Sequence, residues 1–97
     1  TGDKVSADEA ERMNMIYKVF EEESFEEEAM KLAENLAAMP TRGLGLTKKA
    51  VNLGLFNSLE DQLDVEESLQ TEAGETDDFT EGVNAFIQKR PAVFKGR

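Results

Sequence analysis

Six consecutive residues, Met15-Ile16-Tyr17-Lys18-Val19-Phe20, constrain this chain more than any others. They are β-branched and aromatic and read as a strand. No second segment of the chain reads that way. A lone strand leaves a row of backbone donors and acceptors without partners. The sequence therefore predicts either a strand that pairs with something outside these residues or an extended connector with solvated backbone.

Everything else reads as helix. Ser6-Ala7-Asp8-Glu9 has the spacing of a capping box, and Asn14 suits the left-handed residue that stops a short helix. Ser24 with Glu27 repeats the capping pattern. Phe25, Ala29, Leu32, Leu36 and Met39 then fall on one stripe. Pro40 opens a helix over about Thr41 to Leu53, with apolar residues on two sides. Gly43 and Gly45 within it cost about 1 kcal/mol each, which predicts close backbone approach there. Ser58 opens a fourth helix that ends at Gly74. Thr76-Asp77-Asp78 opens a fifth, with Phe79, Val83, Phe86, Ile87 and Arg90 at helical spacing, and Pro91 stops it. The expected fold is mainly α, about five helices with one short strand, forming a single unit over residues 1–97.

The chemistry is bounded by what is missing. The 97 residues contain no Cys and no His. Disulfides, the usual zinc ligands and His-dependent nucleophile systems are excluded. Carboxylates, Lys48 and Tyr17 are the remaining acid–base candidates, and no catalytic residue and no metal ligand is assigned. The run Glu21-Glu22-Glu23 with Glu26-Glu27-Glu28 lacks calcium-loop spacing and reads as a solvated face. Gly43-Leu44-Gly45-Leu46-Thr47-Lys48 lacks phosphate-loop spacing. A net charge of −10 argues against nucleic acid or an anionic membrane as partner. No apolar run is long enough to cross a bilayer. Pro40–Asn57 and Val83–Arg97 carry basic residues and no acidic ones, while Ser58–Gly82 carries acidic residues and no basic ones. The two basic segments either form an anion site together or balance acidic neighbours.

The ending, Asp77-Asp78-Phe79-Thr80-Glu81-Gly82-Val83-Asn84-Ala85-Phe86-Ile87-Gln88-Lys89-Arg90-Pro91-Ala92-Val93-Phe94-Lys95-Gly96-Arg97, closely resembles that of the crotonase superfamily of enoyl-CoA hydratases and isomerases. The family's typical ending runs D-x-x-E-G-x-x-A-F-x-x-K-R-x-P-x-F-x-G. Thr1-Gly2 with Ala7, Glu9 and Ala10, and Thr47-Lys48-Lys49-Ala50-Val51-Asn52, are similar to two further family segments. Ala38-Met39-Pro40-Thr41-Arg42-Gly43-Leu44, Gln62-Leu63-Asp64 with Glu66, and Glu72-Ala73-Gly74 with Thr76 look most like the phenylacetate-degradation branch, the isomerase of ring-epoxidised phenylacetyl-CoA. One departure is Asn14, where the family more often has Gly.

The resemblance implies that this is the C-terminal helical assembly region of the crotonase fold. The family's catalytic core, with its backbone oxyanion hole and catalytic carboxylates, would precede Thr1. It implies a cytoplasmic parent enzyme that forms trimers or hexamers and takes acyl-CoA as substrate with no other cofactor. These 97 residues alone would not be active. Residue by residue it carries over Phe86, which lies near the acyl or pantetheine part of the ligand in the family, and Lys89, which approaches the nucleotide phosphates. From the residues alone, Phe86 also suits a core position and Lys89 the negative end of a helix dipole. The alternative is a non-catalytic helical protein-interaction module.

Overall fold

The computed structural model describes residues 2–97. They divide into two compact units, Thr1–Leu32 and Ala33–Arg97. In the first, α1 spans Ala7–Arg12. Its N-cap is Ser6, whose Oγ accepts the Glu9 N–H at 3.3 Å. The Glu9 carboxylate does not reach back to complete the box; it accepts from Arg12 at 3.4 Å. Asn14 takes φ 57°. The Met15 N–H then returns to the Ala10 carbonyl at 2.8 Å and the Asn14 N–H to the Glu11 carbonyl at 2.9 Å. Those two bonds satisfy the last carbonyls of the helix, so Asn does here what Gly does elsewhere.

The expected strand over Met15–Phe20 is not formed, and no strand occurs among the described residues. A strand is defined by its ladder, and none of the described residues offers one. The Val19 N–H goes to a side chain instead, the Glu11 carboxylate, at 2.8 Å. Phe20 meets Phe25 edge to face at 6.3 Å, and the Lys18 ammonium lies 5.3 Å from the Phe20 ring centre. Ser24 also departs from expectation. It closes a 3-10 turn over Glu22–Ser24, and its Oγ donates to the Glu21 carbonyl rather than capping a helix. Helix α2 follows over Phe25–Ala37.

In the second unit α3 spans Thr41–Gly54, α4 Leu59–Gly74 and α5 Asp77–Gln88. Pro40 precedes α3, and its carbonyl accepts the Leu44 N–H at 3.1 Å. Ser58 Oγ accepts the Asp61 N–H at 3.2 Å, and Thr76 Oγ1 the Phe79 N–H at 3.1 Å, so both expected caps are present. Helices α3 and α4 pack antiparallel. Arg42 pairs with Glu72 at one end. At the other, Gln62 Nε2 donates to the Ala50 carbonyl at 3.1 Å. Leu46 and Leu69 are buried between these pairings.

The glycines fall out differently from the sequence reading. A Cβ on Gly43 or Gly45 would meet nothing within 4 Å. Close approach occurs instead at Gly54, against the Gln62 amide, and at Gly96, which takes φ 73° with Thr41 Oγ1 2.5 Å from where its Cβ would be.

The core is very small. Among the described residues Leu46, Leu69 and Ala85 are the buried apolar ones, while Phe56, Phe86, Leu55, Ile87 and Leu59 are largely exposed. The apolar stripe of Phe79, Val83, Phe86 and Ile87 on α5 is uncovered. What α5 buries is the other side, with Asp78 3% and Ala85 2% exposed.

Candidate functional site

The buried side of α5 receives the chain's own tail. Asp78 Oδ1 accepts the Lys95 N–H at 2.6 Å and Oδ2 the Gly96 N–H at 2.8 Å. The Asp78 N–H in turn donates to the Arg97 carbonyl at 3.0 Å. One turn on, Glu81 accepts from the two terminal nitrogens of the Arg90 guanidinium, at 2.6 and 2.8 Å, and from the Val93 N–H at 2.9 Å. The Arg90 hydrogen bonds, then the Val93 amide, pull the Glu81 carboxyl down to about 2, and the same contact raises Arg90 above its ordinary value. Gly82 lies beneath the Phe94 ring, where a Cβ would stand 3.7 Å from it. Asp78, Glu81 and Gly82 together hold residues 90–97 back along the helix.

This folding-back makes a cleft of about 430 Å³ lined by Pro40, Phe79, Val83, Phe86 and Phe94, with Ala73 and Thr76. Its walls are almost wholly apolar. An apolar cleft with few polar groups takes an apolar ligand segment and contributes little directional recognition. Phe86 stands at the cleft and is 85% exposed, so it is not a core residue within this chain.

Lys89 sits just past α5 with φ 53° and ψ 40°, the left-handed conformation. The Lys89 N–H donates to the Phe86 carbonyl at 3.2 Å and the Arg90 N–H to the Ala85 carbonyl at 3.1 Å, the same closing pair as at Asn14. For a lysine this conformation costs about 1–2 kcal/mol relative to the ordinary helical one. Its ammonium takes no carboxylate partner among the described residues.

Other candidates do not converge. Tyr17 and Lys48 are both exposed. Among the described residues no three carboxylates come together as a metal site. The two basic segments do meet where Gly96 reaches Thr41. However, Arg42 is paired with Glu72, and Arg97 with Asp77 at 3.6 Å, so these charges balance acidic neighbours. Sequence reasoning missed the tail clasp. The signal was present in the signature itself, since an Asp, a Glu and a Gly on one face of α5 precede an Arg, a Phe and a Gly in the tail.

The whole chain, residues 1–97, matches the family model described as enoyl-CoA hydratase/isomerase. It is 43% identical over 96 residues to the 1,2-epoxyphenylacetyl-CoA isomerase of Escherichia coli K12, covering 99% of this chain and 37% of that protein. Its fold matches the crystal structure of enoyl-CoA hydratase subunit I of Geobacillus kaustophilus HTA426, with TM-score 0.90 and 33% identity over 99% of this chain and 37% of that one. The enoyl-CoA hydratase of Bacillus anthracis matches with TM-score 0.81 and 30% identity, over 96% of this chain and 36% of that one. The chain thus spans between a third and two-fifths of the length of these relatives. With a full-length family match, the signature ending and the shared helical fold, the chain belongs to the enoyl-CoA hydratase/isomerase family.

Proposed function

We propose that this chain is the helical assembly and ligand-closing region of an acyl-CoA hydratase or isomerase, acting in cytoplasmic phenylacetate degradation. One observation carries the reading: the apolar faces of α3, α4 and α5 are uncovered. Val51 in α3, Leu59 and Leu63 in α4, and Phe86 and Ile87 in α5 are exposed, as are Leu55 and Phe56 between α3 and α4. Apolar exposure on this scale marks surfaces that other protein covers. A catalytic core of the same polypeptide and neighbouring subunits, in a trimer or hexamer, are the partners that fit. The described helices include none long and apolar enough to cross a membrane.

Acyl-CoA is the substrate in this reading, and no further cofactor is needed. Phe86 borders the acyl or pantetheine segment at the apolar cleft, and Lys89 offers its ammonium to the nucleotide phosphates as a point charge. The phenylacetate assignment is supported by the 43% identity to an isomerase of that type. The chemical step itself is assigned to groups outside these residues, since the resemblance places the family's oxyanion hole and catalytic carboxylates before Thr1.

The test is steady-state turnover by the full-length protein of a straight-chain enoyl-CoA and of ring-1,2-epoxyphenylacetyl-CoA. Turnover of either supports the reading, with the ring epoxide preferred. No turnover of any acyl-CoA would overturn it. Lys89→Ala should raise KM for CoA esters more than it lowers kcat, since it removes binding common to ground and transition states.

A further inference from the structure

Lys89 holds a backbone conformation that glycine would adopt without strain, yet it is a long cation with no carboxylate partner among the described residues. Its surroundings are tied down on both sides. Arg90 Nε donates to Gln88 Oε1 at 2.8 Å, linking the residues that flank Lys89. Arg90 is gripped by both Glu81 oxygens, and Glu81 also takes the Val93 N–H. Glu81 therefore fixes the turn over residues 88–93 at two points. Because Arg90 and Val93 occupy its oxygens, Glu81 does not draw the Lys89 ammonium to itself. The Arg90 charge offsets that of Glu81 and leaves the Lys89 charge uncancelled.

We infer that Glu81 is a positioning residue for anion binding: acting through Arg90 and the Val93 amide, it holds the turn that presents Lys89 to the nucleotide phosphates of a CoA thioester. This rests on the acyl-CoA reading above and adds a residue that touches no ligand. A lysine at a fraying helix end would be spread over a wide volume, and ordering it on binding would cost affinity. Pinning the backbone on both sides of Lys89 removes part of that cost beforehand. The depressed Glu81 carboxyl agrees with a clasp that stays charged throughout the neutral range.

The experiment measures KM and kcat in the full-length protein for an enoyl-CoA and for the same acyl group carried on pantetheine, which lacks the nucleotide. Glu81→Gln keeps the side-chain size and removes the charge. It should raise KM for the CoA thioester about tenfold, the loss expected for one charge-assisted contact, with kcat within about twofold. The pantetheine thioester should be unaffected, and adding Glu81→Gln to Lys89→Ala should produce no further loss. Arg90→Lys, which keeps the charge but loses the fork, should give a smaller rise with the same selectivity. It also serves as the second variant if Glu81→Gln does not fold.

Equal effects on both thioesters would show a merely structural clasp and overturn the inference, as would no effect from either clasp variant. If Lys89→Ala leaves the CoA thioester unchanged, the underlying reading of Lys89 fails, and the inference falls with it. That result is distinct from the case in which Lys89→Ala acts and the clasp variants do not.

Discussion

Asp77 and Asp78 are adjacent carboxylates in the first turn of α5, and replacing each by Ala should have very different consequences. Both sit where the helix dipole favours negative charge, worth about 0.3–1 kcal/mol each. Asp77 adds only an exposed pair with Arg97 at 3.6 Å, which contributes about 0–1 kcal/mol. Asp78 is 3% exposed and accepts two backbone N–H groups at 2.6 and 2.8 Å. Hydrogen bonds to a charged acceptor contribute about 1.5–3 kcal/mol each, and water can rehydrate the freed amides in part because Lys95 is exposed. Asp78→Ala should therefore cost about 2–4 kcal/mol and Asp77→Ala about 1 kcal/mol or less. Denaturant unfolding of the full-length protein gives the global difference. Amide hydrogen exchange shows whether the loss is local, with the Lys95 and Gly96 amides losing protection in Asp78→Ala alone. Equal costs for the two variants, or unchanged protection at residues 95 and 96, would refute the tail clasp.

Glu81 contributes with a defined sign. Its carboxyl is lowered from 4.5 to about 2, so its stabilisation is complete above pH 4.5 and is lost as pH falls through about 2. The stability gap between the native protein and Glu81→Gln, followed by unfolding at a series of pH values, should shrink across that window; a constant gap would contradict it. Gly96→Ala should destabilise by about 1–2 kcal/mol, since φ is positive and Thr41 blocks the Cβ. Gly82→Ala should be neutral or gain up to about 1 kcal/mol, because its Cβ would make an ordinary contact with Phe94 within a helix. Thermal melts of the pair check both, and a reversed order would be inconsistent with the tail position. Lys89→Gly should raise stability by about 1 kcal/mol while weakening CoA-ester binding, and a stability loss would remove the strain assigned to Lys89.

Local structure was legible in the sequence at most positions that a short-range rule governs, the exceptions being Ser24, which closes a 3-10 turn instead of capping a helix, and Glu9, which does not complete its capping box. Ser6, Ser58 and Thr76 cap their helices, Asn14 turns left-handed, and Pro40 divides α2 from α3, because each needs only its near neighbours. Readings that depended on distant partners fared differently. Met15–Phe20 has strand composition but no ladder, since a strand exists only with another strand. Gly43 and Gly45 suggested close approach that does not occur within this chain. The apolar stripe Phe79, Val83, Phe86, Ile87 was correctly periodic, yet periodicity does not say what covers it, and here it is left open. The clasp was missed for the same reason, although its residues stand in the signature. Asp78 resembles an ordinary acidic residue of a first helical turn and Glu81 an ordinary solvated carboxylate one turn further on, and only the fold shows the tail returning to them. Phe86 and Lys89 came from the resemblance, and composition alone would not have singled them out.

The central claim is that these helices complete an acyl-CoA enzyme whose chemistry lies outside them. The most direct measurement is turnover of an enoyl-CoA and of ring-1,2-epoxyphenylacetyl-CoA by the purified 97-residue chain and the full-length protein, side by side. Turnover by the full-length protein and none by the isolated chain is the predicted result. Turnover by the isolated chain would contradict the claim, and so would a folded full-length protein inert toward every acyl-CoA.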